Sequence, residues 1–380
     1  MGVIFFLSFF VFSRFVPAEM TFWTDLGRVE GVSGITLVSA KNTLYLGTSQ
    51  GLYARDLRKE ENWHLVGLKD FSVTSVLTFP NKPGYILAAV QTDKGANPPF
   101  FRSDDGGLTW ANTGKEVGAV IEEFTEYPNV NSLVFQDSKL SKFGGYVYAN
   151  LQGKAIARSS DLGATWGIVY GKPGAICYSS KLHILESILI QGGECPLDKA
   201  FLAAYDISDP TQHQLPLYNL PVAAFASLGA SDIGNRKINS FASSASDPSR
   251  IFVGVEGGLF WVDFKKATGA WVYRHAGNSS SGETGLYTYI KTIWIDPNDS
   301  NHLLFGGAAQ TIKTLELYET FDGGKTLSFP VLPTGFVERP ARIFSGIPFG
   351  SENKGFIFVA TYKENEKAIT HIFLKDHSSN

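Results

Sequence analysis

Three segments decide how the rest of the chain is read: Ser103-Asp104-Asp105-Gly106-Gly107-Leu108-Thr109-Trp110, Ser159-Ser160-Asp161-Leu162-Gly163-Ala164-Thr165-Trp166 and Thr320-Phe321-Asp322-Gly323-Gly324-Lys325-Thr326-Leu327. They share Ser/Thr-x-Asp-x-Gly-x-Thr followed by Trp or a substitute. Each residue type has a task in a tight turn. An Asp accepts hydrogen bonds from nearby backbone N–H groups, a Gly allows positive φ, and a Ser or Thr adds a local bond. The Trp that follows can bury its ring between neighbouring structural units. The pattern describes a hairpin staple, so Asp105, Gly107, Trp110, Asp161, Gly163, Trp166, Asp322 and Gly324 are assigned structural work.

Outward from these turns, the chain is a succession of short runs rich in Val, Ile, Phe, Tyr and Thr, punctuated by Gly, Asn, Asp and Pro. Long helical periodicity is missing, and the class is all-β. Cutting before each apolar run reveals a repeated unit: strand, turn, strand, short loop, strand, tight turn, and a fourth strand that usually carries Trp. Successive units begin near Ile35, Val73, Ser132, Ala175, Ile238, Thr288 and Ile343, the fourth being degenerate. Proline-led turns such as Ser246-Asp247-Pro248 and Asp296-Pro297-Asn298 fall between first and second strands.

The seventh unit ends one strand short. Phe22-Trp23-Thr24-Asp25-Leu26-Gly27 has the look of the missing outer strand. Pairing it with the last unit would tie both chain ends into one sheet and close the ring. The expectation is a single β-propeller of seven four-stranded blades over residues 19–380, which all-β chains of this length can form as one unit.

The three turns resemble the Asp box, or BNR repeat, of sialidases, sortilin-type receptors, photosystem assembly factors and xyloglucan-degrading enzymes. The resemblance implies a propeller with the boxes on the face opposite the binding mouth, and it selects an architecture shared by unrelated functions. The sialidase aromatic-Arg-Ile-Pro motif is absent. Arg28 is the sole Arg between Ala18 and the first unit, and Arg342-Ile343-Phe344 is a partial echo in the wrong place. A xyloglucanase would need two carboxylates across a cleft between two propellers, and this chain has length for one. Sortilin-type receptors add a larger propeller and a cysteine-rich module.

Other chemistries lack their patterns. Gly323-Gly324-Lys325-Thr326 ends like a phosphate loop, but Glu319 stands where an earlier Gly is required. The seven histidines show no paired metal-ligand spacing, and Asp104-Asp105 lacks the alternation of a calcium loop. No cofactor or metal is expected. The net charge of −3 has no Lys/Arg stripe for phosphates, which disfavours nucleic acid.

Residues Val3 to Phe12 form an apolar run, and Val16-Pro17-Ala18 offers small residues to a signal peptidase. Residues 1–18 read as a signal peptide, with a buried first strand as the alternative. The run is too short for a membrane span of about 20 residues. Secretion is thus expected, with no membrane span after signal removal. In an oxidising compartment Cys177 and Cys195 could pair across 18 positions; otherwise they are buried thiols. Asn278-Ser279-Ser280 and Asn298-Asp299-Ser300 match the glycosylation sequon.

Binding residues gather on loops. The longest polar inter-blade segments, Ala224 to Lys237 and Gly277 to Tyr289, supply the candidates Asp232, Arg236, Glu283, Tyr287 and Tyr289. Glu256, Gln50 and Gln152 join them from second-to-third-strand turns, and Glu122-Glu123 with Glu126-Tyr127 form an acidic cluster. The expected function is a secreted, monomeric, non-catalytic propeller that binds a glycan or a protein at its mouth; the alternative is an Asp-box glycoside hydrolase.

Overall fold

The structure is a computed structural model, and it describes residues 23–59, 61–91, 98–121, 124–126, 128–153, 155–171, 177–195, 199–209, 216–220, 237–244, 246–263, 268–274, 288–309, 315–330, 341–349 and 355–376. After β1 (Trp23–Glu30), the first blade contains β2 (Gly34–Ala40), β3 (Thr43–Thr48), β4 (Gly51–Asp56) and β5 (His64–Gly67). The second contains β6 (Ser72–Thr78), β7 (Ile86–Gln91), β8 (Phe100–Ser103) and β9 (Ala111–Thr113). A separate hairpin, β10 (Ala119–Ile121) with β11 (Phe124–Glu126), precedes the third blade. That blade contains β12 (Val130–Asp137), β13 (Gly145–Leu151), β14 (Ala155–Ser159) and β15 (Gly167–Tyr170). The fourth has β16 (Tyr178–Leu185), β17 (Ile188–Cys195), β18 (Lys199–Asp206) and β19 (Pro216–Leu220), and the fifth β20 (Ile238–Ser243), β21 (Arg250–Val255), β22 (Gly258–Asp263) and β23 (Thr268–Arg274).

The sixth blade has β24 (Thr288–Ile295), β25 (Leu303–Ala309) and β26 (Leu315–Thr320). An isolated bridge between Glu319 and Ser328 marks the position of its fourth strand. The seventh has β27 (Ala341–Phe349), β28 (Gly355–Glu364) and β29 (Lys367–Asp376). Its outer strand is β1, which pairs antiparallel with β29 from Trp23 opposite Lys375 to Glu30 opposite Ile369. The ring closure expected from the sequence is present. Each first strand also touches the first strand of the next blade, and β27 touches β2, so the first strands surround the axis.

Strand side chains alternate between two faces, and in a propeller both faces meet another blade. Second strands are therefore largely apolar or small, and Gly145–Leu151 is buried at every position. The hydrophobic clusters lie at the seven blade interfaces. Leu87 and Phe100 of blade two pack with Val147 and Trp166 of blade three, for example. Leu26 and Ile372 of blade seven pack with Leu44 and Leu46 of blade one.

The three Asp turns are built alike. Asp105 Oδ1 accepts the Ser103 hydroxyl (2.8 Å) and the Thr109 N–H (2.9 Å), while the Thr109 hydroxyl donates to Oδ2. The Gly107 N–H donates to Ser103 Oγ at 2.7 Å. Asp161 repeats these bonds with Ser159 and Thr165, and Asp322 with Thr320 and Thr326. Gly107, Gly163 and Gly324 all have positive φ. Trp166 sends its N–H to the Gly163 carbonyl (3.2 Å) and stacks on Phe100 of the preceding blade, centroids 4.0 Å apart. The Thr109 hydroxyl and N–H, with Ser103, hold the Asp105 carboxyl down at about 2. Bonds from the Thr326 N–H and hydroxyl place Asp322 at about 2 as well. Burial pushes Asp161 upward, yet its bonds from Thr165 and Ser159 leave it lowered overall.

Candidate functional site

Antiparallel order fixes two faces. First-to-second and third-to-fourth strand connections open on one face, which holds the three Asp turns; second-to-third turns and inter-blade connections open on the other, the mouth. Each first strand enters from the mouth. Near that end, every first strand carries one extra residue relative to its second strand: Ile35, Thr74, Asn131, Ser180, Asn239, Lys291 and Phe344. A bulge releases a residue from the ladder and re-aims the strand. Seven in register form a ring of bulges around the axis.

The residue after each bulge is Thr36, Ser75, Ser132, Lys181, Ser240, Thr292 or Ser345. Three of these hydroxyls stitch neighbouring blades: Ser75 Oγ accepts the Leu133 N–H (3.1 Å), Ser132 Oγ accepts the Leu182 N–H (3.2 Å), and Ser240 Oγ donates to the Ile290 carbonyl (2.8 Å). A Cβ at Gly254, opposite Ser240, would come within 2.2 Å of that oxygen, so only glycine admits the contact. Lys181 breaks the hydroxyl pattern at the fourth blade, and burial pushes its ammonium below the ordinary lysine value.

Polar side chains gather at the mouth of blades four to six. Lys237 Nζ donates to Glu194 Oε1 at 2.9 Å, and the Asn239 amide donates to the Lys237 carbonyl at 3.2 Å. Lys291 Nζ donates to Asn239 Oδ1 (3.1 Å) and lies 5.4 Å from the Tyr289 ring centre. Tyr289 in turn bridges Glu256, whose N–H donates to the Lys237 carbonyl at 3.0 Å. Below them, the buried Gln191 amide donates to Asn150 Oδ1 (2.8 Å), and Tyr205 donates to Gln191 Oε1 (3.1 Å). The Cys177–Cys195 disulfide joins the entry of β16 to the end of β17 at this rim.

Of the residues singled out from sequence, Glu256 and Tyr289 are brought together here. Gln50 is exposed on the first blade's turn, and Gln152 accepts the Asn129 amide at 3.5 Å on the third blade's turn. Asp232, Arg236, Glu283 and Tyr287 lie outside the described residues, as do Glu122, Glu123 and Tyr127. Arg28 pairs at the surface with Glu30 (2.9 Å) and Glu364 (3.6 Å). Among the described residues no helix is long and apolar enough to cross a membrane, and no cluster of metal-ligating side chains occurs. Sequence reading missed Lys237, Asn239, Lys291 and Glu194. The signal was available as the repeated Ile/Val-x-Ser/Thr opening of the first strands, seen in Val73-Thr74-Ser75, Val130-Asn131-Ser132, Ile238-Asn239-Ser240 and Ile290-Lys291-Thr292.

No family profile matches the chain, and no curated protein matches it. Solved structures do. YCF48 bound to D1 peptide is 13% identical, with 92% of this chain and 96% of that chain covered and a TM-score of 0.57. The GH74 enzyme of Niastella koreensis is 10% identical with a TM-score of 0.60; the match covers 94% of this chain and 54% of the enzyme. Two structures of the extracellular domain of BT4673 from B. thetaiotaomicron are 11% and 12% identical, covering 92% of this chain and 40% and 39% of that chain, with TM-scores of 0.53 and 0.55. At these identities the likeness shows the propeller fold alone.

Proposed function

We propose that this chain is a secreted, non-catalytic binding propeller of the Asp-box kind that holds a polypeptide segment at its mouth, over blades four to six. The observation carrying this reading is the connected row Glu194, Lys237, Asn239, Lys291, Tyr289 and Glu256 beside the bulge ring. Such a row mixes ammonium groups, an amide, an aromatic ring and carboxylates on strand ends held by the disulfide and by inter-blade bonds. It offers hydrogen-bond donors and acceptors in alternation, as an extended backbone does. A rigid scaffold presenting mixed polar groups binds with little ordering cost. The peptide-bound YCF48 structure supports a polypeptide over a glycan.

The Asp-box assignment is supported by the three matching sets of turn bonds. Secretion is supported by the apolar N-terminal run and by a disulfide, which persists in oxidising compartments. In a glycoside hydrolase two carboxylates would face each other across the cleft. At this mouth Glu194 is committed to Lys237.

The test is a peptide-array screen on the secreted protein, with a glycan array and glycoside substrates run beside it. A peptide hit that weakens at least tenfold in Lys291→Ala is the expected result. Glycan binding that depends on Lys291, or turnover of any glycoside, would overturn it.

A further inference from the structure

The face opposite the mouth carries a cavity of about 330 Å³ between blades five and six, lined by Arg250, Trp261, Asn301, Phe321, Asp322 and Lys325 among others. We infer that this cavity is a second binding site and that it takes a neutral saccharide. Its volume lies at the lower end of the roughly 300–1,000 Å³ of small-molecule pockets.

The first observation is Phe321. It stands at the second position of the third Asp turn, where the other two turns carry Asp104 and Ser160, and the residue is 61% exposed. A phenyl ring left in water is unfavourable unless something covers it. This ring is also fixed. It stacks on His302 with centroids 4.3 Å apart and 20° between planes. His302 is held at Nδ1 by Asp296 and at Nε2 by Glu319, each at 3.2 Å, and both Glu319 oxygens accept from Lys375 Nζ at 2.7 Å. The exposed aromatic is thus a preorganised platform, with one face against protein and the other toward the cavity.

The second observation is the sign of the lining. Arg250, packed 4.6 Å over Trp261, and Lys325 offer donors, while the Asp322 carboxylate and Asn301 offer acceptors. A phosphate or an acidic peptide would meet Asp322, and a cation would meet Arg250 and Lys325. An apolar ligand would strip water from all of them. A pyranose suits both observations: its C–H face lies on an aromatic ring, and its hydroxyls donate and accept without net charge.

The experiment titrates the full chain with cellobiose, maltose, mannobiose and N,N′-diacetylchitobiose, followed by saturation-transfer NMR, with inorganic phosphate as a separate arm. The expected result is millimolar binding of at least one disaccharide. It should weaken at least tenfold in Phe321→Ala, persist in Phe321→Trp, and be unchanged in Lys291→Ala. Binding of none of the four overturns the inference. So does binding that survives Phe321→Ala, binding lost in Lys291→Ala, or phosphate binding that displaces the sugar. Because the mouth proposal is read through Lys291, the two can fail separately.

Discussion

The Thr370 hydroxyl, 336 residues from Gly34, accepts the Gly34 N–H at 2.8 Å and donates to the Val32 carbonyl at 2.8 Å. One fully buried side chain of the last blade thus ties down the entry to the first. Thr370→Val keeps the shape, takes the donor from the Val32 carbonyl and leaves the Gly34 N–H only its longer bond to the Thr361 hydroxyl (3.2 Å), so it should cost about 1–3 kcal/mol. Deleting residues 19–30 should cost more, because Leu26 and Val29 leave the closing cluster and Trp23 leaves its edge-on contact with Phe358 at 4.9 Å. Denaturant midpoints of the two variants check this; an unchanged midpoint in the deletion would show that the ring closes without β1.

The Asp turns predict acid sensitivity of a definite sign. Hydrogen bonds from their turn threonines hold Asp105 and Asp322 at about 2 when folded, below the ordinary carboxylate value of 3.8 that the unfolded chain has. A folded value below the unfolded one gives stability that is complete above the unfolded value and lost as pH falls through the folded one. Asp105→Asn should therefore flatten the melting curve between about pH 4 and 2. Asp161→Ala, in the partly buried copy, should cost about 1 kcal/mol at neutral pH, the low end for a charged acceptor because solvent screens it. Melts as a function of pH decide the matter, and loss of peptide binding without loss of stability would move these residues from scaffold to site.

Much of this was legible because it is local. Box residues lie within eight positions, blade strands recur at regular spacing, and the unpaired final blade pointed to the Trp23 strand. The hairpin of β10 and β11 was not, since Glu122-Glu123 reads as a solvated turn and the flanking strands are three residues each. Contacts across the ring were invisible for a different reason. Glu319 and Lys375 are 56 positions apart, and Lys237 meets Glu194 across 43, and neither pair has a periodicity that announces it. The bulge ring needed alignment of seven openings, and Ser179-Ser180-Lys181 hides one of them.

Lys181 is the exception in that ring and makes a third prediction. Its pKa is lowered by burial, so above the folded value and below the ordinary lysine value the unfolded chain binds the extra proton. Stability then rises with pH through that window. Lys181→Ser restores the hydroxyl found after the second, third and fifth bulges and removes a desolvated ammonium. It should raise stability by about 0.5–1.5 kcal/mol at pH 7, the usual contribution of one hydrogen bond. The rise of stability with pH expected of the parent, between the lowered lysine value and the ordinary one, should vanish. A lower midpoint in the variant would mean that the amine is engaged at the mouth rather than tolerated there.

The last prediction concerns Lys375 and Glu319, which are 1% and 6% exposed and joined by two bonds of 2.7 Å. Lys375 lies opposite Trp23 in the sheet, and its Nζ is 6.0 Å from that ring centre, so the pair sits where the closing strand meets blades six and seven. Taking two charges out of water costs much of what their attraction returns, so the pair as a whole adds little net stability. Breaking it is another matter. Lys375→Met leaves the Glu319 carboxylate buried and should cost about 3–5 kcal/mol. Glu319→Leu combined with Lys375→Met should recover part of that loss, although His302 then keeps only its Asp296 partner. A double-mutant cycle measures the coupling. Additive losses would mean that the two charges are stabilised independently of each other.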